Sequence, residues 1–328
     1  MTTYTSTFIR KTDADVLILW IPGANDTFYH QEQLDNGLFK DCDIYLLHPN
    51  DYHPCNPCAE TNPPGHTAEH FFQYFESIDD EMSNHCLSYK RIVAYTHSTG
   101  ALLLIEYLLH GKYRNYITKA IFDDPFLSFN TTNIFIRWIQ QHIFFLPSTW
   151  EMHILGIVFN KYSLLRKNVV SKTKLHQRQC QYNMPFVYEN NDYAGYIVAC
   201  TRTQKKIMDA VHPLLSIPCL ILIAEGDRML REKDSREISK KISIQQEVNV
   251  ISGCYHSVLF PDDKLQMPSI FSKIHRFIYS NTISISNYKL PKIELYHNQL
   301  LFIPTFCIYL FVFCIININH RVYQFLFW

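Results

Sequence analysis

The sequence predicts an α/β fold, with a mostly parallel central sheet flanked by helices and a helical cap inserted into it. Short, wholly apolar runs such as Val16–Ile21 and Cys219–Ala224 have the pattern of strands buried on both faces of a parallel sheet. Segments with apolar residues at helical spacing separate these runs, the alternation of βαβ units. Between Phe126 and about Tyr196 the alternation breaks into irregular helical sequence dense in large side chains (Phe129, Phe135, Trp138, Phe144, Phe145, Trp150), and it resumes afterwards.

Taken in order, the first strand is Val16-Leu17-Ile18-Leu19-Trp20-Ile21, stopped by Pro22-Gly23, and the second is Ile44-Tyr45-Leu46-Leu47, ending at His48-Pro49. A polar, proline-rich stretch from Asn50 to Gly65 leads to a helix from Ala68 to about His85, whose apolar positions are Phe71, Phe72, Phe75, Ile78 and Met82. Arg91 to Tyr95 is the next strand, Thr96 to Thr99 a turn, and Gly100 to Leu109 a strongly apolar helix ended by His110-Gly111. A strand at Ala120–Phe122 runs into Asp123-Asp124-Pro125. Beyond the cap come a helix near Thr201–Val211, a strand at Cys219–Ala224, a helix at about Ser235–Ile242, a strand at Glu247–Ile251 and a closing helix from about Met267 to Tyr279. The expected organisation is a core of residues 1–125 and 197–280, a cap of 126–196 and a C-terminal extension of 281–328.

A chain of 328 residues suits one full-sized α/β domain with an insertion. Its 30 basic and 30 acidic residues cancel, so no overall field draws it to nucleic acid or other polyanions. With 23 Phe and 21 Tyr, the aromatic content exceeds what a soluble core requires, and part of it is expected to line an apolar pocket. Met1 to Arg10 is polar and lacks the apolar run of a secretory signal, which predicts a cytoplasmic catalytic domain. Ten cysteines without a repeating frame predict free or buried thiols. Cys55-Asn56-Pro57-Cys58, with His48, His53 and His66, has zinc-like spacing, but no second Cys pair follows, and a proline-rich surface loop is the expected reading.

From Leu300 to Ile318 the chain carries no charge and almost no polar residue, close to the roughly 20 apolar residues of a spanning helix. A C-terminal membrane anchor, with Lys289 and Lys292 on the cytosolic side, stands beside two other readings, a helix packed on the domain and a tail of uncertain reading frame.

A serine hydroxyl becomes a useful nucleophile only when a base within hydrogen-bond reach takes its proton and a third group orients that base. Ser98, in Val93-Ala94-Tyr95-Thr96-His97-Ser98-Thr99-Gly100, lies between a buried strand and an apolar helix, where a strained turn exposes a serine and the helix N-terminus favours developing negative charge. Small residues are wanted two positions to either side. Gly100 supplies one, while Thr96 stands where glycine is usual. Asp227, just past the strand Cys219–Ala224, is the expected acid, with Asp234 as fallback, and His256, in the loop after the last strand, is the expected base. One helix and one strand fit between acid and base. The backbone N–H groups of Thr99 and Ala24, the latter in the loop Pro22-Gly23-Ala24-Asn25-Asp26, are the expected oxyanion donors.

Five motifs in this order, Pro22-Gly23-Ala24-Asn25-Asp26, Thr96-His97-Ser98-Thr99-Gly100, Asp124-Pro125-Phe126, Gly226-Asp227-Arg228 and Tyr255-His256-Ser257-Val258-Leu259, resemble the serine aminopeptidase S33 group of α/β hydrolases, which includes monoacylglycerol lipases and lysophospholipase-like enzymes. The resemblance spans about Asp15 to Tyr279. Two departures stand out: His48-Pro49-Asn50-Asp51-Tyr52-His53 occupies the place of the usual Asp-x-Arg and Gly-x-Ser pattern, and the first elbow glycine is Thr96. The resemblance implies the α/β-hydrolase fold and a serine hydrolase needing neither metal nor organic cofactor. The aromatic cap and apolar tail favour a lipid-like ester, a monoacylglycerol or lysophospholipid, as substrate and partner. An aminopeptidase or amidase of the same fold and an inactive, binding-only hydrolase fold are the alternatives.

Overall fold

The computed structural model describes residues 6–23, 30–47, 70–128, 194–227, 230 and 232–280, with the side chains of helix residues 194–198 excepted. The chain divides into two compact units, Met1–Ser286 and Asn287–Trp328, and all described residues belong to the first. Residues 129–193 of the expected cap, Ala24, the Cys55/Cys58 cluster and the apolar run 300–318 lie outside the described residues. Among those described, no helix is long and apolar enough to cross a membrane.

Seven strands form one sheet: β1 (Thr7–Arg10), β2 (Val16–Ile21), β3 (Asp43–Leu46), β4 (Arg91–His97), β5 (Ile117–Asp123), β6 (Cys219–Ala224) and β7 (Gln246–Ile251), in spatial order β1-β3-β2-β4-β5-β6-β7. Every pairing is parallel except β1 with β3. Among the described residues the α-helices are α1 (Gln31–Asp35), α2 (Phe75–His85), α3 (Gly100–His110), α4 (Ala194–Asp209), α5 (Glu232–Ser239) and α6 (Met267–Tyr279).

The apolar runs follow from the two-residue period of a strand between two packed faces. Leu17, Leu19 and Ile21 of β2 join a cluster with Ile78 and Met82 of α2 and Leu102, Leu103 and Ile105 of α3. Ile18 and Trp20 point the other way, into a cluster with Ile270, Ile274, Phe277 and Ile278 of α6. Neither face of the central strands meets water, so no position needs a polar residue.

Several elements depart from expectation: α1 was not expected, β4 runs on to His97 through part of the expected turn, β5 spans Ile117–Asp123, and β1, α4 and α5 also differ. β1 is a strand where only a polar N-terminus was apparent. Its residues are all half-buried, as an antiparallel edge strand allows, and Arg10 Nε donates to the Cys42 carbonyl at 2.8 Å. α4 begins at Ala194, ahead of Thr201, and α5 spans Glu232–Ser239, three residues upstream of the expected helix. Its first turn holds Glu232 and Asp234, carboxylates placed against the positive end of the helix dipole. Cys42, Cys86, Cys200, Cys219 and Cys254 are free and buried, as the cysteine pattern predicts.

Lys119, near the start of β5, fixes the far end of α6. Its buried ammonium donates to the carbonyls of Phe277, Ile278 and Ser280 at 2.6, 3.1 and 2.6 Å, satisfying acceptors that a helix C-terminus leaves open. Lys119→Met should therefore cost about 1–3 kcal/mol, because those carbonyls lose a charged donor and stay buried. Urea denaturation of the two proteins checks it, and an unchanged midpoint would contradict the capping role.

Candidate active site

The C-terminal ends of β4, β5, β6 and β7 bring one group of polar side chains together. Ser98 follows β4 directly and has φ of 51°, a left-handed conformation that non-glycine residues seldom adopt. The turn is held from both sides: Ser98 N–H donates to the Asp123 carbonyl at 3.0 Å, and the Ser98 carbonyl accepts from Phe126 N–H at 3.0 Å. α3 then starts at Gly100, with Thr99 as its N-cap residue.

The elbow depends on Gly100. A Cβ there would lie 2.4 Å from the Pro22 carbonyl oxygen, 2.5 Å from Thr96 Oγ1 and 2.9 Å from the Ile21 carbonyl oxygen. The missing side chain lets the start of α3 pass against the end of β2. It also resolves the departure at Thr96, because the threonine hydroxyl occupies the space that the Gly100 hydrogen leaves. Thr96 Oγ1 is buried with no hydrogen-bond partner, so it fills volume without making a polar contact.

His256 stands in the loop after β7. Its Nε2 lies 3.0 Å from Ser98 Oγ and its Nδ1 lies 2.8 Å from Asp227 Oδ2. With the Nδ1 proton donated to Asp227, Nε2 is left as acceptor for the serine hydroxyl. Asp227 leaves the end of β6 in a turn tied to the His256 loop by Gly226 N–H donating to the Cys254 carbonyl at 3.0 Å. The structure thus brings Ser98, Asp227 and His256 together, and places Thr99 immediately after the serine. Asp234 lies instead within α5, while the carboxyl oxygens near His256 belong to Asp227 and Asp124.

Three residues that sequence reasoning did not assign to the site support it. The Asp123 carboxyl accepts from Tyr95 Oη at 2.8 Å, Ser257 Oγ at 2.6 Å and Val258 N–H at 2.8 Å, pinning the residues that follow His256. His97 Nε2 meets the His256 carbonyl at 2.5 Å. Asp124, also in a left-handed conformation with φ of 44°, accepts the Ala224 N–H at 3.1 Å through Oδ1 and faces His256 Nδ1 at 3.5 Å through Oδ2. In the sequence these adjacent acids only follow a strand before a proline, and the pairing of β5 with β6 aims them inward.

The charges in this pocket are coupled. Burial disfavours the His256 cation, but the Asp227 charge and the two neighbouring carboxyl groups outweigh it and raise the imidazole above its ordinary value. Asp124 is raised well above the carboxylate range, first by burial and then by the Asp227 charge. Asp124, Asp227 and His256 form the one group of acidic and imidazole ligands among the described residues close enough to share an ion. Both imidazole nitrogens are already engaged, one by Asp227 and the other by Ser98, so the group is a hydrogen-bonded chain.

The family described as serine aminopeptidase, S33, matches residues 65–263, more than half of the chain. Among solved structures, a soluble variant of monoglyceride lipase from Saccharomyces cerevisiae is similar with a TM-score of 0.59 at 14% identity, over 83% of this chain and 89% of the other. A monoacylglycerol lipase from Paleococcus ferrophilus matches with a TM-score of 0.53 at 13% identity, over 80% and 93%. A lipase-esterase related protein from Clostridium acetobutylicum matches with 0.54 at 13%, over 85% and 100%. Among curated proteins, none matches the sequence significantly. The seven-stranded sheet and these likenesses identify the α/β-hydrolase fold.

Two substitutions at the elbow should behave oppositely. Gly100→Ala forces contacts below 3 Å onto two backbone carbonyls and should leave the protein insoluble or destabilised by about 3 kcal/mol or more. Thr96→Ala deletes an unpaired buried hydroxyl and should shift stability by no more than about 1 kcal/mol. Thermal melts of both variants decide it, and a well-folded Gly100→Ala protein would contradict the packing argument.

Proposed function

The chain belongs to the serine aminopeptidase S33 family of α/β hydrolases, and from that premise we propose that it is a serine hydrolase that cleaves carboxylic esters through Ser98, His256 and Asp227. The observation that carries this reading is His256 bridging the other two, at 3.0 Å from Ser98 Oγ and 2.8 Å from Asp227 Oδ2.

Ser98 Oγ attacks the ester carbonyl as its proton passes to His256 Nε2. Asp227 orients the ring and stabilises the imidazolium that forms. The tetrahedral oxyanion is held by the backbone N–H of Thr99 at the start of α3; Ala24, the second donor expected from the sequence, lies outside the described residues. Such donors act on charge present only in the transition state, each worth roughly 10²–10³-fold in rate. The intermediate collapses as the alcohol oxygen takes the proton from His256. A water then attacks the acyl-enzyme while His256 accepts its proton, and Ser98 is regenerated with release of the acid.

A lipid-like ester, a monoacylglycerol or lysophospholipid, is the favoured substrate class. Its support is the aromatic sequence of 126–196 and the likeness to proteins described as monoglyceride lipases. A long acyl chain needs apolar walls, and a phenylalanine- and tryptophan-rich insertion supplies the material for them.

Hydrolysis of p-nitrophenyl esters of graded acyl length should favour the longer chains and fall at least ~10⁴-fold in Ser98→Ala with the circular dichroism spectrum unchanged. Faster turnover of aminoacyl p-nitroanilides than of any ester would move the assignment to a peptidase. Full esterase activity in Ser98→Ala would remove Ser98 from the mechanism.

A further inference from the structure

The mechanism uses one carboxyl group, and two face His256 Nδ1. Asp124 is 1% exposed, and its Oδ2 is buried without a hydrogen-bond partner while lying 3.5 Å from the same His256 Nδ1 that Asp227 holds at 2.8 Å. A buried carboxyl oxygen with no partner is costly, and native proteins rarely keep one without a use. The Asp124 backbone holds φ of 44°, a left-handed conformation that few residues besides glycine, asparagine and aspartate adopt.

On the functional reading given above, we propose that Asp124 is a second positioning carboxyl group, held in reserve beside Asp227 to serve as the acid partner of His256 when Asp227 cannot. Two negative charges buried side by side would hold His256 as imidazolium and leave Nε2 unable to accept the Ser98 proton. The arrangement works only with one negative charge between the two carboxyls, so Asp124 carries a proton at rest and Asp227 the charge. The burial and the Asp227 charge that raise Asp124 act in that direction. Among the described residues, the other ionisable groups around the site do not supply a competing acid. The Asp123 carboxyl is fully engaged by Tyr95, Ser257 and Val258, and His97 bonds the His256 backbone carbonyl, its ring centroid 5.0 Å from that of His256.

Asparagine isolates the carboxyl from the fold at both positions. At 124 it tolerates the left-handed backbone and keeps the Oδ1 acceptor for the Ala224 N–H. Replacement of Asp227 by Asn removes the charge that suppresses ionisation of Asp124, and the remaining carboxyl then faces His256 alone. Asp227→Asn should retain kcat/KM at least ~10-fold above Asp124→Asn/Asp227→Asn, with Asp124→Asn costing more in the Asp227→Asn background than in the native one.

A merely structural Asp124 would not move the protonation of His256. Its imidazole titration, followed by NMR in the full chain, should fall by roughly one unit between Asp227→Asn and the double variant, because the double variant buries the cation with no carboxyl beside it. Equal fold-losses from Asp124→Asn in both backgrounds, together with an unmoved His256 titration, would overturn the proposal. A native protein without esterase activity would instead defeat the functional reading, and the titration would still decide the role of Asp124.

Discussion

Asp123 is the residue on which the rest of the site depends. Its carbonyl accepts the Ser98 N–H, its carboxyl accepts Ser257 Oγ and Val258 N–H, and Tyr95 of β4 donates to the same carboxyl. One residue at the end of β5 therefore holds both the turn that carries Ser98 and the loop that carries His256. Those two lie 158 positions apart in the chain. A hydrogen bond of 3.0 Å between them needs both loops registered on a common support, and the buried carboxyl is that support.

The sheet supplies the remaining precision. Parallel strands end together along one edge, so the residues that follow β4, β5, β6 and β7 converge without long excursions of the backbone. Close packing then fixes the angles. Gly100 lets α3 approach the end of β2, and the hydrogen bond from Gly226 N–H to the Cys254 carbonyl ties the acid turn to the base loop. Lys119 anchors α6 at the opposite end of the sheet, where its three carbonyl contacts hold the helix that covers one face. The left-handed backbones at Ser98 and Asp124 are strain that this rigid frame can bear.

The fold was legible because burial on two faces leaves a plain mark. Val16–Ile21 and Cys219–Ala224 are strands over the same residues that their apolar runs indicate, and Met267–Tyr279 is a helix over its expected range. β1 left no such mark, since a four-residue edge strand with half-buried side chains needs neither an apolar run nor a strict alternation. Ser98, Asp227 and His256 were legible through chain order and their positions just past strands. Asp123 and Asp124 were not, because the partners that tie them to the acid and base loops, Ala224 and Ser257, lie a hundred or more residues away, and a pair of acids before proline carries the local signature of a turn. Thr96 looked like a defect in the elbow for a related reason: its fit depends on the empty side of Gly100, a contact across the turn that residue identities at two positions do not display.

The central claim is that Ser98 becomes covalently acylated during turnover. Rapid quenching of the native protein with a slowly deacylated p-nitrophenyl ester, followed by intact mass and peptide mapping, tests it most directly. The account predicts one acyl group per chain, on the peptide containing Ser98, formed with a stoichiometric burst of p-nitrophenol and absent from Ser98→Ala. Turnover of the ester with no covalent adduct, or with the adduct on another residue, would contradict it.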